Sequence, residues 1–252
     1  MAIVTAVANQ KGGVGKTTTA INLSSGLARK GFKTLLIDLD PQAHSTIGLG
    51  VDRDAYIYAI DNVMLDEKEI YETVLKTDIE NVDIIPSRLK LFSVENKLAS
   101  EIFRERVLLE KISAVTDYDH IVIDSSPTLG SLTINALYAS DIILVPCEVS
   151  RYSLEGFGDL RATIAKLKNG NHRLHIFLTK FKATTTRTNE WMMEELKQVS
   201  DLLMDTRIRQ NESINQASIA QKPIYSYASR SAGSQDYTAL TEEFLEICRE
   251  KS

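Results

Sequence analysis

The feature that most constrains this chain is a glycine-rich loop at residues 10–18, placed between an apolar run and an amphipathic segment. The run at residues 3–8 predicts a buried strand, and the segment at residues 20–28 predicts a helix. Glycines let the backbone turn its N–H groups inward, because they tolerate positive φ and carry no Cβ. A strand, such a loop and a helix N-terminus form the geometry that holds the phosphates of a nucleotide. The sequence therefore predicts a phosphate-binding loop.

Two side chains of the loop suit this chemistry. Lys16 can reach the β- and γ-phosphates, and the Thr17 hydroxyl can ligate Mg²⁺. The loop departs from the common pattern G-x-x-x-x-G-K-[ST], because Gln10 replaces the first glycine and a second lysine, Lys11, lies inside the loop. The residues expected to bind the nucleotide are Lys11, Gly12, Gly13, Val14, Gly15, Lys16, Thr17 and Thr18.

Short aliphatic runs recur along the chain with helical patterns between them. The further predicted strands lie at residues 34–37, 82–85, 120–123, 142–145 and 174–178. They are nearly continuous in apolar residues, as expected of strands buried on both faces of a parallel sheet. The predicted helical segments are 98–115, 154–167, 189–203 and 239–248. This alternation predicts an α/β fold with a doubly wound, mostly parallel sheet and helices on both faces.

Composition limits the class of protein further. We find no internal repeat and no linker-like segment, so we expect one domain over residues 1–252, without an N-terminal helix-turn-helix domain. We also find no leader pattern and no long apolar run, so we expect the protein in the cytoplasm. Residues 161–230 contain 12 basic and 6 acidic residues in a chain of net charge −5. Such asymmetry is compatible with an anion-binding face and also with ordinary scatter between solvated helices.

Two acidic motifs follow predicted strands. Asp124 ends the strand 120–123, and Asp38 and Asp40 end the strand 34–37. If these strands are neighbours, the three carboxylates converge beside the phosphates at the same edge of the sheet. Asp124 is suited to hold Mg²⁺, often through water. An aspartate at a strand end is by itself more commonly a turn or helix-cap residue.

The combined motifs resemble the ParA/MinD family of deviant Walker ATPases, and most closely its ParA/Soj branch, which segregates plasmids and chromosomes. The stretches that carry the resemblance are residues 11–18, 38–42, 129–137, 153–156, 178–179 and 187–188, and the resemblance covers nearly the whole chain. It implies ATP and Mg²⁺ as cofactors. It also implies a homodimer in the ATP state that sandwiches two nucleotides.

The resemblance implies a role for each matching residue. Lys11 resembles the signature lysine, which crosses the dimer interface to the nucleotide phosphates of the partner. Lys16 and Thr17 match the phosphate and Mg²⁺ ligands within one subunit. Asp40 matches the carboxylate that positions the attacking water and is also expected near the metal. Asp124 begins a second switch segment, at residues 124–130, whose order should depend on the γ-phosphate.

The chain departs from the family pattern at several positions. The usual Asp-Cys-Pro-Pro becomes residues 124–127, Asp-Ser-Ser-Pro. The family proline after the strand near residue 209 is absent, and Arg209 is expected to contribute to nucleotide binding there. ParA-like dimers bind DNA without sequence preference, and the residues expected to do so are Lys180, Lys182, Arg187, Arg207, Lys222 and Arg230. A ParB-like adaptor and association with the nucleoid are implied as well.

Other cargoes remain open alternatives. MinD-like relatives end in a basic amphipathic helix that binds membranes, whereas the polar face of residues 242–252 is largely acidic and would be repelled by anionic lipids. Relatives that carry iron–sulfur clusters need paired cysteines, which Cys147 and Cys248 do not supply. A related ATPase that positions another protein assembly would have the same sequence features.

Overall fold

The computed structural model describes residues 1–168, 173–184 and 186–249, apart from the side chains of residues 151–156 and 186. Within these residues, eight strands form one sheet. The strands are β1 (Ile3–Val7), β2 (Thr34–Leu39), β3 (Leu75–Lys76), β4 (Val82–Ile85), β5 (His120–Ser125), β6 (Ile142–Glu148), β7 (Arg173–Phe181) and β8 (Leu203–Arg209). Their order across the sheet is β3-β4-β2-β5-β1-β6-β7-β8, and only β3 runs antiparallel to its neighbour. The predicted doubly wound, mostly parallel sheet is confirmed.

Helices cover both faces of this sheet. In chain order they are α1 (Lys16–Arg29), α2 (His44–Gly48), α3 (Ile60–Met64), α4 (Leu91–Leu98), α5 (Val107–Ile112), α6 (Ser131–Ala139), α7 (Arg151–Lys168), α8 (Thr186–Leu196), α9 (Glu212–Ile219), α10 (Ile224–Tyr227) and α11 (Ala232–Arg249). No helix among the residues described is both long and apolar enough to cross a membrane.

The central strands are apolar because their side chains enter a different core on each face. Leu36 of β2 packs with residues of α1 and α11, whereas its neighbours Leu35 and Ile37 pack with residues of α3 to α6. A third cluster lies around β6 and β7 beneath α7 and α8. Alternate side chains of a strand point to opposite faces, so a strand covered by helices on both sides needs apolar residues at successive positions.

The predicted helix over residues 98–115 is wrong. Instead, α4 ends at Leu98, a 3₁₀ turn spans Arg104–Arg106, and α5 begins at Val107. Phe103 has a left-handed φ of 57°, which a continuous helix does not tolerate. The side chain of Asn135 on α6 accepts a hydrogen bond from the backbone N–H of Leu108 at 3.0 Å. A contact from a distant part of the chain therefore helps to define where α5 begins.

Two other predicted helices differ in extent. The segment 189–203 contains most of α8 and then a 3₁₀ helix, Lys197–Leu202, with a kink at Val199 before β8 begins. The predicted helix at 239–248 is the second half of α11, which begins at Ala232. The predicted segment 154–167 lies within α7.

Candidate functional site: a phosphate-binding loop beside three carboxylates

The loop between β1 and α1 has the backbone conformation that its glycines predict. Gly13 has a φ of 73° and Gly15 a φ of 98°, both in the region that side-chain-bearing residues avoid. Gly15 immediately precedes α1 and has no side chain to cap the helix. The first N–H groups of any α-helix have no acceptor within that helix and attract anions. The start of α1 is therefore built to receive a phosphate.

Lys16 lies at the base of this loop and is only 7% exposed. Its ammonium donates a hydrogen bond to the backbone carbonyl of Lys11 at 3.1 Å. Burial lowers the pKa of Lys16, while the charges of Asp124 and Asp40 act to raise it. A buried cation with these neighbours is placed to exchange the carbonyl oxygen for the oxygens of a phosphate.

Asp38 and Asp124 are register partners on the adjacent strands β2 and β5. Asp38 accepts hydrogen bonds from the backbone N–H and the hydroxyl of Thr46, at 2.8 and 2.7 Å. Burial, followed by the charge of Asp124, raises the pKa of Asp38 to about 8. Asp38 is therefore bound mainly to the helix α2 that follows its own strand, and its carboxylate is costly to ionise in this environment.

Asp124 is the carboxylate with spare coordinating capacity. Its Oδ2 accepts a hydrogen bond from the hydroxyl of Ser45 at 2.7 Å. Its Oδ1 is buried and has no hydrogen-bond partner among the residues described. Burial raises the pKa of Asp124 to about 6, although the hydrogen bond from Ser45 and the nearby Thr17 hydroxyl act in the opposite direction.

These residues fit a magnesium ion. A buried carboxylate oxygen without a partner is unfavourable in the free protein, and a nearby divalent cation removes that penalty. Mg²⁺ prefers hard oxygen ligands, and both the Thr17 hydroxyl and Asp124 provide them next to the loop. The strand register confirms the expected proximity of Asp38 and Asp124. Asp40 is close to Asp38 as well, because its backbone N–H donates a hydrogen bond to Oδ1 of Asp38 at 3.2 Å.

A cavity of about 620 Å³ opens beside the loop. It is lined by Gly12 to Thr18, by Asp40 and by Arg209, all of which were predicted to bind nucleotide or assist its reaction. Asp40 is 7% exposed, and its Oδ1 accepts a hydrogen bond from the backbone N–H of Gln42 at 2.9 Å. This bond orients the carboxylate in the turn after β2.

Sequence reasoning missed much of the cavity wall. The additional lining residues are Gln42, His44, Pro127, Thr179, Lys180, Ile208, Gln210, Asn211, Ile214, Asn215 and Tyr237. Thr179, for example, donates its hydroxyl to the carbonyl of Val14 at 2.8 Å and so supports the loop from β7. The match of residues 178–179 to the family pattern was the signal that could have identified it.

Lys11 has a different environment from Lys16. Its ammonium lies 2.9 Å from Oε2 of Glu148 and 2.9 Å from the hydroxyl of Ser150, both in the same chain. Its backbone N–H is bound by Asn9. Its side chain therefore points to the end of β6 and does not line the cavity formed by the described residues.

The six residues predicted to bind DNA are all exposed but lie on several elements. Lys180 and Lys182 lie at the end of β7, Arg187 lies in α8, and the guanidinium of Arg207 on β8 covers the Phe181 ring at 5.0 Å. Lys222 and Arg230 lie in the connections on either side of α10. Lys180 also lines the cavity beside the phosphate loop and lies 3.9 Å from Glu148.

Comparisons with known proteins agree with this geometry. Residues 2–176 match the family model described as an AAA domain. The chain is 38% identical over 248 residues to the sporulation initiation inhibitor protein Soj of Bacillus subtilis, covering 96% of this chain and 98% of Soj.

Two solved structures share the fold over nearly their entire length. One is cobyrinic acid a,c-diamide synthase of Mycobacterium smegmatis with a bound ATP analogue and magnesium, at 27% identity, a TM-score of 0.85, and coverage of 100% of this chain and 98% of that one. The other is a plasmid partition protein of Borrelia burgdorferi, at 28% identity, a TM-score of 0.78, and coverage of 100% and 99%.

The sheet order, the glycine loop and the carboxylates at its edge define a P-loop protein of the nucleoside-triphosphatase class. The irregular loop and the relatives define the group within that class. The chain belongs to the ParA/Soj branch of the ParA/MinD family of deviant Walker ATPases.

Proposed function

We propose that this chain is a slow, Mg²⁺-dependent ATPase that acts as a DNA partition switch. The observation that carries the proposal is the convergence of buried Lys16, the uncapped start of α1 and the carboxylates Asp40 and Asp124 at the carboxyl edge of the sheet. The Mg²⁺–ATP-analogue complex of the synthase with the same fold supports the choice of ligand. The identity to Soj supports the choice of process.

The chemistry follows from the positions of the side chains. The glycine loop and Lys16 bind the phosphates and stabilise the charge that develops on the transferred γ-phosphoryl group. Asp40 orients the attacking water. Thr17 and Asp124 would hold Mg²⁺, which neutralises phosphate charge when it is bound. Positioning and electrostatics supply nearly all of the catalysis in reactions of this kind.

Lys11 makes ATP a switch for association. Two triphosphates that face each other across a dimer repel, and a lysine contributed by each subunit offsets that repulsion. In the single chain, Lys11 is bound to Glu148 and Ser150, so it must leave these partners before it can reach a second subunit. ATP would thus favour a homodimer with two nucleotides between the subunits.

The ATP-bound dimer would then bind double-stranded DNA of the nucleoid without sequence preference. The six exposed basic residues described above would contact phosphates, and dimerisation would double their number. Hydrolysis, stimulated by a ParB-like adaptor, would release the DNA and move a plasmid or chromosome.

A MinD-like role at a membrane is less well supported. Leu240 and Phe244, on the apolar side of α11, are fully buried and pack in the same core as α1. They are therefore not available to a bilayer in this arrangement.

Two variants and one binding assay test the proposal. Lys16→Ala should abolish ATP hydrolysis, and Asp40→Ala should abolish hydrolysis while trapping an ATP-bound dimer in sedimentation velocity. Random duplex DNA should shift in a gel only with the ATP-bound Asp40→Ala protein, and less at the higher of two salt concentrations. An ATP-bound dimer without any DNA shift at low salt would instead favour another cargo, and liposome pelleting would then separate a membrane from a protein assembly.

A further inference from the structure

Arg209 of β8 lines the cavity beside the phosphate loop and forms an ion pair with Asp236 of α11. The Asp236 carboxylate accepts three hydrogen bonds from Arg209. The donors are the backbone N–H at 2.9 Å, the side-chain Nε at 3.0 Å and the side-chain Nη2 at 2.6 Å. The Asp236 side chain is 9% exposed, whereas that of Arg209 is 48% exposed. The carboxylate thus binds both the main chain and the guanidinium of one residue, and leaves the guanidinium accessible.

The position of the pair matches the nucleoside end of a bound nucleotide. The phosphate loop follows β1, and β8 lies three strands away in the sheet, so the separation is roughly 14 Å at ordinary strand spacing. That distance is comparable to the length of a nucleoside triphosphate. Arg209, Gln210 and Asn211 line the same cavity as the loop. A nucleotide with its phosphates at α1 would therefore place its base near Arg209.

We propose that Asp236 is a positioning residue that fixes the Arg209 guanidinium as the stacking surface for the base. This inference rests on the proposed binding of ATP at the loop. A guanidinium is planar and stacks well on aromatic rings, and a carboxylate bound to its edge leaves both faces open. An unpaired arginine at this position would instead have to lose side-chain freedom each time a nucleotide binds.

The chain provides a matched control on the same two elements. Glu243 of α11 accepts the backbone N–H groups of Asp205 and Thr206 on β8, at 2.7 and 2.9 Å. Glu243 therefore attaches β8 to α11 much as Asp236 does, but the residues that it binds do not line the cavity, whereas Arg209 does. Replacing Glu243 therefore measures how far ligand binding weakens when β8 is attached less firmly to α11 but the contacts of Arg209 are unchanged.

The experiment compares ATP with a ligand that has the phosphates but no base. Titration calorimetry would measure Mg²⁺–ATP and Mg²⁺–tripolyphosphate binding to the wild type, D236N, R209K and E243Q, after thermal melts show that each is folded. In D236N and R209K we expect the dissociation constant for ATP to rise about tenfold, with tripolyphosphate binding unchanged. R209K keeps the charge but lacks the planar fork. In E243Q both ligands should bind as in the wild type.

The possible outcomes separate this inference from the proposed function. ATP affinity that is unchanged in D236N, or an equal loss of ATP and tripolyphosphate, would overturn the positioning role. Equal affinity of the wild-type protein for both ligands would overturn it too, because the base would then contribute nothing. A wild-type protein that binds neither ligand would refute the phosphate site itself.

Discussion

The ammonium of Lys11 lies 2.9 Å from the carboxylate of Glu148 in the same chain. The two side chains are about 30% exposed, and Lys180 approaches the other carboxylate oxygen at 3.9 Å. The lysine that we propose to act on a second subunit is thus bound within its own chain, and the proposed dimerisation would have to break this pair.

Replacing Glu148 should therefore favour the ATP-bound dimer. An ion pair that is partly exposed contributes at most about 1 kcal/mol, and each of the two subunits would break one such pair, so E148Q should lower the dimer dissociation constant by up to about 25-fold. Sedimentation velocity in Mg²⁺–ATP, on the Asp40→Ala background, would measure the change. E242Q removes the exposed ion pair with Lys30 and should leave dimerisation unaltered. Weaker dimerisation of E148Q would show that Glu148 contributes to the dimer itself.

The buried carboxylates should make the free protein less stable as the pH rises. Burial raises the pKa of Asp38 to about 8 and that of Asp124 to about 6, so the native state holds more protons than the unfolded state between about pH 4 and pH 8. Stability then falls with increasing pH in this window. The pKa of His120 is lowered by burial, which acts in the opposite direction below about pH 6.5.

The clearest measurement is therefore the free energy of unfolding in EDTA between pH 6.5 and pH 8. We expect a decrease of about 2 kcal/mol for the wild type and a smaller decrease for D38N, which cannot ionise at this position. A wild-type stability that increases over this interval would contradict the raised pKa of Asp38.

Gly26 on α1 should not tolerate a side chain. A Cβ at this position would collide with the hydroxyl of Thr241 on α11 and lie 2.9 Å from that of Tyr225. Gly26→Ala should cost about 1–3 kcal/mol of the free energy of unfolding in urea, because this helix pair cannot separate without opening the core.

The matched substitution is Gly158→Ala in α7, where a Cβ would meet no described atom within 4 Å. It should stabilise the protein by about 0.5–1 kcal/mol, since alanine is the better helix former. Equal effects of the two substitutions would show that the contact between α1 and α11 is not as close as described.

Arg187 provides a specific test of the DNA interface. If its guanidinium neutralises one phosphate, Arg187→Ala should weaken ATP-dependent DNA binding and make the slope of log affinity against log salt shallower by about 1. Fluorescence anisotropy with a labelled random duplex would measure this slope. Lys197, which pairs with Glu194, provides the control substitution. A slope that matches the wild type would remove Arg187 from the proposed interface.

Local patterns predicted most of the sheet and the phosphate loop. The strands were predictable because the middle of a doubly wound sheet requires apolar residues on both faces, as in β2 and β5. The short elements β3, α2 and α10 were not predictable, because each contains too few residues to show a periodic pattern of apolar side chains. The break between α4 and α5 depends on Asn135, which is distant in sequence.

The sequence by itself determined the loop between β1 and α1 that we propose to bind phosphate, since glycines at required positions, a lysine and a threonine are adjacent in the chain. It also determined that aspartates end two strands of the sheet. Only the tertiary structure decided what each charged group contacts. Strand order brings Asp38 beside Asp124, and folding places Glu148 against Lys11 and Asp236 against Arg209. Such pairings join residues far apart in the chain, so no local pattern specifies them.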